Sequence, residues 1–405
     1  MASATMDNVV LRQVRVLDPV TNLDLHQDVW FNNGKLEAIA PQLTEIPSDV
    51  EMMEAEDLIL APGLVELYSH SSEPGYESRE TLVQLAQGAI AGGFTQVGIL
   101  PNTQPCLDNL GQLNSFQQLA DNLPHPKPQF LPWAAITKKA QGETLTELGE
   151  LQTATIAGFA DGYALNNWNL LRRTLEYLRP YNIPIALFPK NLALQNGGTA
   201  RYGKASLAYG LVEELVSVET TAIATICELV AELQTPVHLM RISTARGVEL
   251  IAEAKERGLP ITASTTWMHL LWNTKALSTY DPNLRLDPPL GNPSDQEALI
   301  YGVKNGVIEA IAIDHQPYLY EEKTVSFAEA PAGVIGLEIA LPILWQHFVV
   351  SQDWQPLQLW QALSTNPQKC LGQEIKAIDP EHPQALILFD PNKTWQVNAE
   401  NLHCP

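Results

Sequence analysis

The sequence predicts an α/β protein: a closed (β/α)8 TIM barrel with a small β-sandwich domain made from the two chain ends. Three observations carry this. Strand-like apolar runs alternate with amphipathic helical stretches between residues 59 and 313, the pattern that folds as right-handed βαβ units. Counted along the chain these runs number roughly eight, which is what a closed parallel barrel needs. The first part of the chain and one short run near its end read as strands alone.

Taken in order, Asn8 to Pro62 alternates apolar and polar residues in VVLRQVRVLDP, DVWFNNGKLEAIAP and MMEAEDLILAP. Asn33-Gly34 marks a two-residue hairpin turn. The barrel strands are expected at Ile59 to Ser69, Phe94 to Leu100, Phe130 to Thr137, Thr155 to Ala160, Ile183 to Phe188, Thr235 to Ile242, Leu259 to Ser264 and Val307 to Ile313. Helices at Glu80 to Ala91, Glu213 to Leu233, Thr244 to Arg257 and Pro293 to Asn305 separate them. Ala385 to Asp390, ALILFD, is the late strand. The expected division is 1–61 for the N-terminal part of the small β domain, 62–370 for the barrel and 371–405 for its C-terminal part, which is expected to be cut short.

The 405 residues suffice for such a barrel with appendages, since the barrel alone takes about 250. A formal charge of -22 makes the surface repel phosphates, which argues against nucleic acid and anionic membranes as partners. Cys106, Cys227, Cys370 and Cys404 are scattered without a CxxC pair, as expected of reduced thiols in a cytoplasmic protein. Met1 to Val10 lacks the basic start and apolar core of a secretory leader. There is no GxSxG and no phosphate-loop fingerprint.

The most informative stretch is Leu60 to Gly75, LAPGLVELYSHSSEPG. Its period of two places Tyr68 and His70 on one face at a strand's end. Pro74-Gly75 then breaks the strand, so His70, Ser71, Ser72 and Glu73 fall in the loop-side mouth where barrels keep their chemistry. This stretch resembles the first barrel strand of the dihydroorotases, amidohydrolases with the pattern PGL-[ILV]-[DE]-L-H-[VS]-H-x-R-x-PG. Further motifs extend the resemblance over most of the chain: LPNTQP at Leu100, VHLMRIST at Val237, DPPLGNPSDQEAL at Asp287, IDHQPY at Ile313 and APAGVIGLEIALP at Ala330.

The resemblance implies a metal-dependent hydrolase fold and, in an active member, a binuclear zinc site that supplies hydroxide near neutral pH. Here the ligand positions have changed. Tyr68, Phe188 and Arg241 stand where three metal-binding histidines are expected, leaving His70, Asp314 and Asp161 as residual candidates. Arg241 is a permanent cation with no lone pair for a metal. It is expected to pair with Asp314 or Asp161, which would otherwise be buried acids without counter-ions. The substrate positions retain Asn102, but Ser72 replaces an arginine, Asp287 an asparagine, Gly291 an arginine and Tyr318 a histidine. Trp267 and Met268 suggest an apolar filling. His238 and His269 occupy no ligand position, and His26, His125, His347, His382 and His403 have no ligand spacing.

Two functional readings lead, beside a third in which the chain is a binding protein that retains a small ligand in the old pocket near Asn102 and Arg241. In one the chain is a metal-free pseudoenzyme of pyrimidine biosynthesis, its Asp314 vestigial, with a scaffold role for aspartate transcarbamoylase; cofactors are then absent and a homo-oligomer is expected. In the other it is an active dihydroorotase or cyclic amidohydrolase with one zinc on His70, Asp161 and Asp314, and Asp314 as general acid/base. Taken singly, His70 reads as a hydrogen-bonded core histidine and Asn102 as a residue that stitches its own turn.

Overall fold

A computed structural model of the chain describes residues 8–165, 167–398 and 401–404. Residues 1–7, which carry most of the stretch read as lacking a leader, lie outside them. The small β domain is a six-stranded sheet. Its strands are β1 (Asn8–Asp18), β2 (Leu23–Asn32), β3 (Lys35–Ala40), β4 (Glu51–Glu54) and β5 (Ile59–Pro62). Asn33 and Gly34 join β2 to β3 with φ of 50° and 70°, the left-handed pair a type I′ turn requires. β4 and β5 both run parallel to β1. The late strand, Leu386–Phe389, pairs antiparallel with β5, so the two ends of the chain share one sheet.

The barrel strands come next: β6 (Leu64–Ser69), β7 (Phe94–Ile99), β8 (Gln129–Ala134), β9 (Gly158–Phe159) and β10 (Ala186–Leu187), then Val237–Leu239, Ile261–Thr266 and Ala310–Ala312. They pair in parallel as two four-stranded sheets, joined by a bridge between Phe159 and Ile185. The first and last strands are tied differently. His70 N donates to His315 O at 2.9 Å, and the buried Glu66 carboxylate accepts from Ile313 N at 2.7 Å and Asp314 N at 2.8 Å. A side chain thus supplies part of the seam. Burial pushes the Glu66 carboxyl up to about 8 despite those amides.

Trp133 fills the barrel interior and donates from Nε1 to Leu67 O at 2.8 Å. Gly98 leaves room for it, since a Cβ there would lie 2.1 Å from Leu67 O and 3.1 Å from Trp133 Nε1. The larger apolar core lies between strands and helices, where Leu85, Phe94, Phe116, Ile223, Ile251 and Leu299 are buried together. Helices Leu82–Ala91 and Ala245–Glu256 start at Thr81 and Thr244, whose hydroxyls accept from backbone N–H groups of their first turns.

One helix expectation needs correction. The helix expected from Glu213 begins at Ser217. Glu213–Glu214 instead pairs in parallel with Ala200–Arg201. The reason is electrostatic: Glu214 is buried opposite Lys190 and Arg201, and a strand directs it to both.

Candidate functional site

The strand ends converge on a cavity of about 230 Å³, bounded among others by His70, Phe188, Arg241, Asp287, Asp314 and Tyr318. Arg241 is among the residues that line it. Its Nε and Nη2 donate to Asp314 Oδ2 and Oδ1 at 2.7 and 2.6 Å, a fork-to-fork pair. Nη1 donates to Gly162 O at 2.9 Å. The guanidinium carbon lies 5.5 Å from the Tyr68 ring centroid and 5.2 Å from that of Phe188, so two aromatic faces flank the charge. Burial works against the Arg241 charge, but Asp314 overrides it and raises the pKa further. Of the two acids expected to meet this arginine, Asp314 does and Asp161 does not.

Asp161 is held elsewhere, accepting from Thr137 N at 3.0 Å and Thr137 Oγ1 at 2.6 Å. Burial pushes its carboxyl up to about 6. Among the described residues, the ligand atoms of His70, Asp161 and Asp314 do not gather within 4.8 Å of one another. The three residual metal candidates are therefore not brought together.

His70 has no lone pair to spare. Arg241 Nη2 stands 3.3 Å from His70 Nε2 and can only donate, so Nε2 is the acceptor. The neutral ring then carries its proton on Nδ1, 2.7 Å from the Asn102 amide, which completes the bond by facing its oxygen to the ring. Burial lowers the His70 pKa to about 4, opposed by the Asp314 charge and aided by that of Arg241. Asn102 consequently holds His70 and, at 3.2 Å, Tyr163; it does not stitch its own turn.

Tyr68 is equally engaged. Its hydroxyl accepts from Arg241 N at 3.1 Å and shares a hydrogen bond with Ser264 Oγ at 2.8 Å, with His238 Nε2 2.8 Å beyond. Arg241 and Asp314 both have left-handed backbones, with φ of 55° and 52°. Such residues cost about 1–3 kcal/mol each and persist where surrounding contacts over-determine them. The ion pair is one such contact.

A binuclear zinc centre, which the resemblance implies, does not fit these residues. Four of its six ligand positions offer a phenol already bonded on both sides, a phenyl ring, a guanidinium and one imidazole whose lone pair is taken; Asp314 is clasped by that guanidinium, and Asp161 is held by Thr137. The guanidinium occupies the space between them.

The substrate-side residues are also tied. Asp287 accepts from Lys190 Nζ at 2.5 Å, and Lys190 also meets the buried Glu214 at 2.9 Å. The new carboxylate of the mouth therefore has its own cation. Sequence reasoning missed Lys190, Glu214 and Glu66. The signals were a lysine two residues after Phe188 in PKN and the acidic position of the first-strand pattern, which Glu66 fills. Met268 lines the cavity as expected, whereas Trp267 turns into the core against Trp272. His269 bonds Thr266 Oγ1 at 2.7 Å and Pro288 O at 3.1 Å, with a pKa lowered by burial to about 4. His315 points away from the cavity and is fully buried against Glu80; although adjacent to Asp314, it takes no part in this site.

At the rim Lys323 donates to Pro282 O, Pro331 O and Gly333 O, while Arg79 pairs with Glu322 and covers the Tyr318 ring at 4.8 Å. These bonds fasten the mouth loops to one another.

The geometry can be set beside known proteins. A family model described as dihydro-orotase-like matches residues 57–246. A protein of Synechocystis sp. named a probable dihydroorotase-like protein is 46% identical, the alignment covering 96% of this chain and 93% of that one. The dihydroorotase of Syntrophus aciditrophicus is 32% identical over 97% of this chain and 92% of its own. Among solved structures, dihydropyrimidinase from Brevibacillus agri superposes with a TM-score of 0.78 at 21% identity, covering 98% of this chain and 89% of that one. L-Hydantoinase from Arthrobacter aurescens gives 0.77 at 20% identity, with 90% and 82% covered. The structural likenesses bear on the fold.

Proposed function

The chain belongs to the dihydroorotase family, and from its altered centre we propose that it is a non-catalytic member, a barrel of the pyrimidine pathway that no longer opens a cyclic amide and serves as a scaffold for aspartate transcarbamoylase. The observation that carries this reading is the Arg241 guanidinium clasped by Asp314 between the Tyr68 and Phe188 rings. Hydrolysis of a cyclic amide needs an activated water and a group that moves its proton. Asp314, the expected general acid/base, has both oxygens committed to a permanent cation. His70, with a pKa near 4, stays neutral and bonded at physiological pH. Nothing at the centre generates hydroxide.

Asn102 and Asp287, the positions assigned to substrate by resemblance, are directed at His70 and Lys190. In the segment after β10, Tyr202, Leu207, Val212 and Leu215 are exposed, Leu207 by 69%, and in this reading they would serve as apolar contacts for a partner. A homo-oligomer and a cytoplasmic setting belong to the same proposal. No helix of the described residues is long and apolar enough to cross a membrane.

The rival reading, a one-metal dihydroorotase, draws on the 3.8 Å between His70 Nε2 and Asp314 Oδ1, but it requires Arg241 to leave. The test is ring opening of dihydroorotate, and closure of carbamoyl aspartate, by the purified chain with and without added zinc, beside a sedimentation experiment with aspartate transcarbamoylase. The proposal expects no turnover and a co-sedimenting complex. Zinc-dependent turnover overturns the non-catalytic reading, and separate sedimentation overturns the scaffold.

A further inference from the structure

A second set of metal-type ligands lies behind the barrel centre. Asp314 sends its side chain into the mouth, and His315 sends its own the other way, under the start of helix Leu82–Ala91. There His315 Nε2 lies 3.1 and 3.3 Å from the two Glu80 oxygens and 3.7 Å from Cys404 Sγ. The ligand atoms of all three are within 4.8 Å of one another, and all three residues are buried. The segment bearing Cys404 is seated by Glu338, whose Oε1 accepts from His403 N at 2.8 Å and Cys404 N at 3.2 Å. We infer that Glu80, His315 and Cys404 form a binding site for a zinc-class divalent cation, with Cys404 as its thiolate ligand.

The spacing is that of a coordination shell. Usual zinc bond lengths of about 2.3 Å to sulfur and about 2.0–2.2 Å to nitrogen and oxygen place tetrahedral ligands roughly 3.5 Å apart for S and N, and roughly 3.3 Å for N and O. The observed separations of 3.7 Å and 3.1–3.3 Å match those edges. The charge balance agrees. The fully buried Glu80 carboxylate has as partners one imidazole N–H and the Cys404 thiol, whereas a carboxylate offers about four acceptor sites. Two carboxylates, Glu80 and Glu338, face that thiol, and a single imidazole does not neutralise them. A cation does. Sulfur, imidazole and carboxylate together select zinc-like ions over magnesium or calcium.

Metal binding releases one proton and relocates another. The thiol loses its proton to solvent as the metal–sulfur bond forms, and the imidazole proton moves from Nε2 to Nδ1, giving up the bond that Nδ1 now accepts from Gly336 N at 3.2 Å. Occupation of this site is independent of whether the barrel centre is catalytic. Zinc content by itself therefore cannot decide the latter.

The test uses the full chain, stripped with chelator and titrated with Co²⁺, reading the near-ultraviolet thiolate-to-cobalt band. The expected result is one equivalent bound with that band, displaced by Zn²⁺. Cys404→Ser should abolish the band and weaken retention at least tenfold, while Cys106→Ser and His70→Ala leave both unchanged. Thermal melting of each metal-free variant checks that it folds. Absence of the band from wild-type protein at millimolar Co²⁺, or a band that survives Cys404→Ser, overturns the inference. Dihydroorotate turnover in Cys404→Ser would instead count against the non-catalytic reading alone.

Discussion

Asp314 and His315 are neighbours on the chain, yet they serve two buried polar clusters with opposite charge balance. Around Asp314 the cation is covalent: Arg241 reaches the space where the family's metals are expected, donates to Asp314, Gly162 O and His70, and is flanked by aromatic rings. Around His315 the acids outnumber the bases. Glu80, Glu338 and a thiol confront one imidazole, and burial and those carboxylates push the Cys404 thiol far above its usual range. A side chain can replace an ion only if it arrives with its charge, its donors and its desolvation already matched. The first cluster meets these conditions and the second does not.

The largest expected effect is at the first cluster. Arg241→Met strands the Asp314 carboxylate, and breaking a buried pair from one side costs about 3–5 kcal/mol. Urea denaturation should show this loss, with much of it recovered in Arg241→Met/Asp314→Leu. A loss below about 1 kcal/mol would mean that the pair does not stand in for a metal.

Lys190 is the next in size. It is buried between Glu214 and Asp287, so Lys190→Met should cost about 3 kcal/mol by the same argument. Asp287→Asn should cost under about 1 kcal/mol, because the Asp287 side chain is 43% exposed. Equal losses would show that the mouth carboxylate is more than a partner of Lys190.

Stability should also fall in mild acid. His70 and His269 titrate near 4 and His238 near 3 in the folded chain, against 6.5 for a free imidazole. The unfolded chain therefore binds more protons below about pH 6.5, and the stability these neutral rings contribute is lost as pH falls from there toward 4. His238→Gln should flatten that slope in melting curves without moving the plateau above pH 7 by much. An unchanged slope would place the acid sensitivity elsewhere. Asp161 and Glu66, raised to about 6 and 8, act oppositely, favouring the fold while protonated.

The smallest effect belongs to the second cluster. In metal-free protein Cys404→Ser should change stability by under about 1 kcal/mol, since it removes only a weak thiol contact. Zinc should then stabilise wild-type protein and not the variant. A large loss without metal would make the cluster as self-sufficient as the first.

Much of the barrel and the altered centre was legible in the sequence because each depends on local signals. Strand period places Tyr68 and His70 at a strand end, the resemblance to dihydroorotases places Phe188, Arg241 and Asp314 at ligand positions, and a guanidinium among such positions implies an acid nearby. Which acid was not legible, since Asp161 is captured by Thr137, a neighbour that only the fold supplies. Lys190 and Asp287 lie 97 residues apart, and His315 and Glu80 lie 235 apart. Such pairings are set by packing, and no periodicity records them. The same holds for Glu213–Glu214, whose helix-like setting gives way to a strand because Lys190 and Arg201 wait opposite Glu214.

The most direct test is an anomalous-scattering map at the zinc edge from crystals of protein purified with excess zinc. The expected result is guanidinium density between the Tyr68 and Phe188 rings, with no anomalous peak beside His70 and Asp314. A peak bridging those two residues, with Arg241 displaced, would contradict a centre whose cation is a side chain.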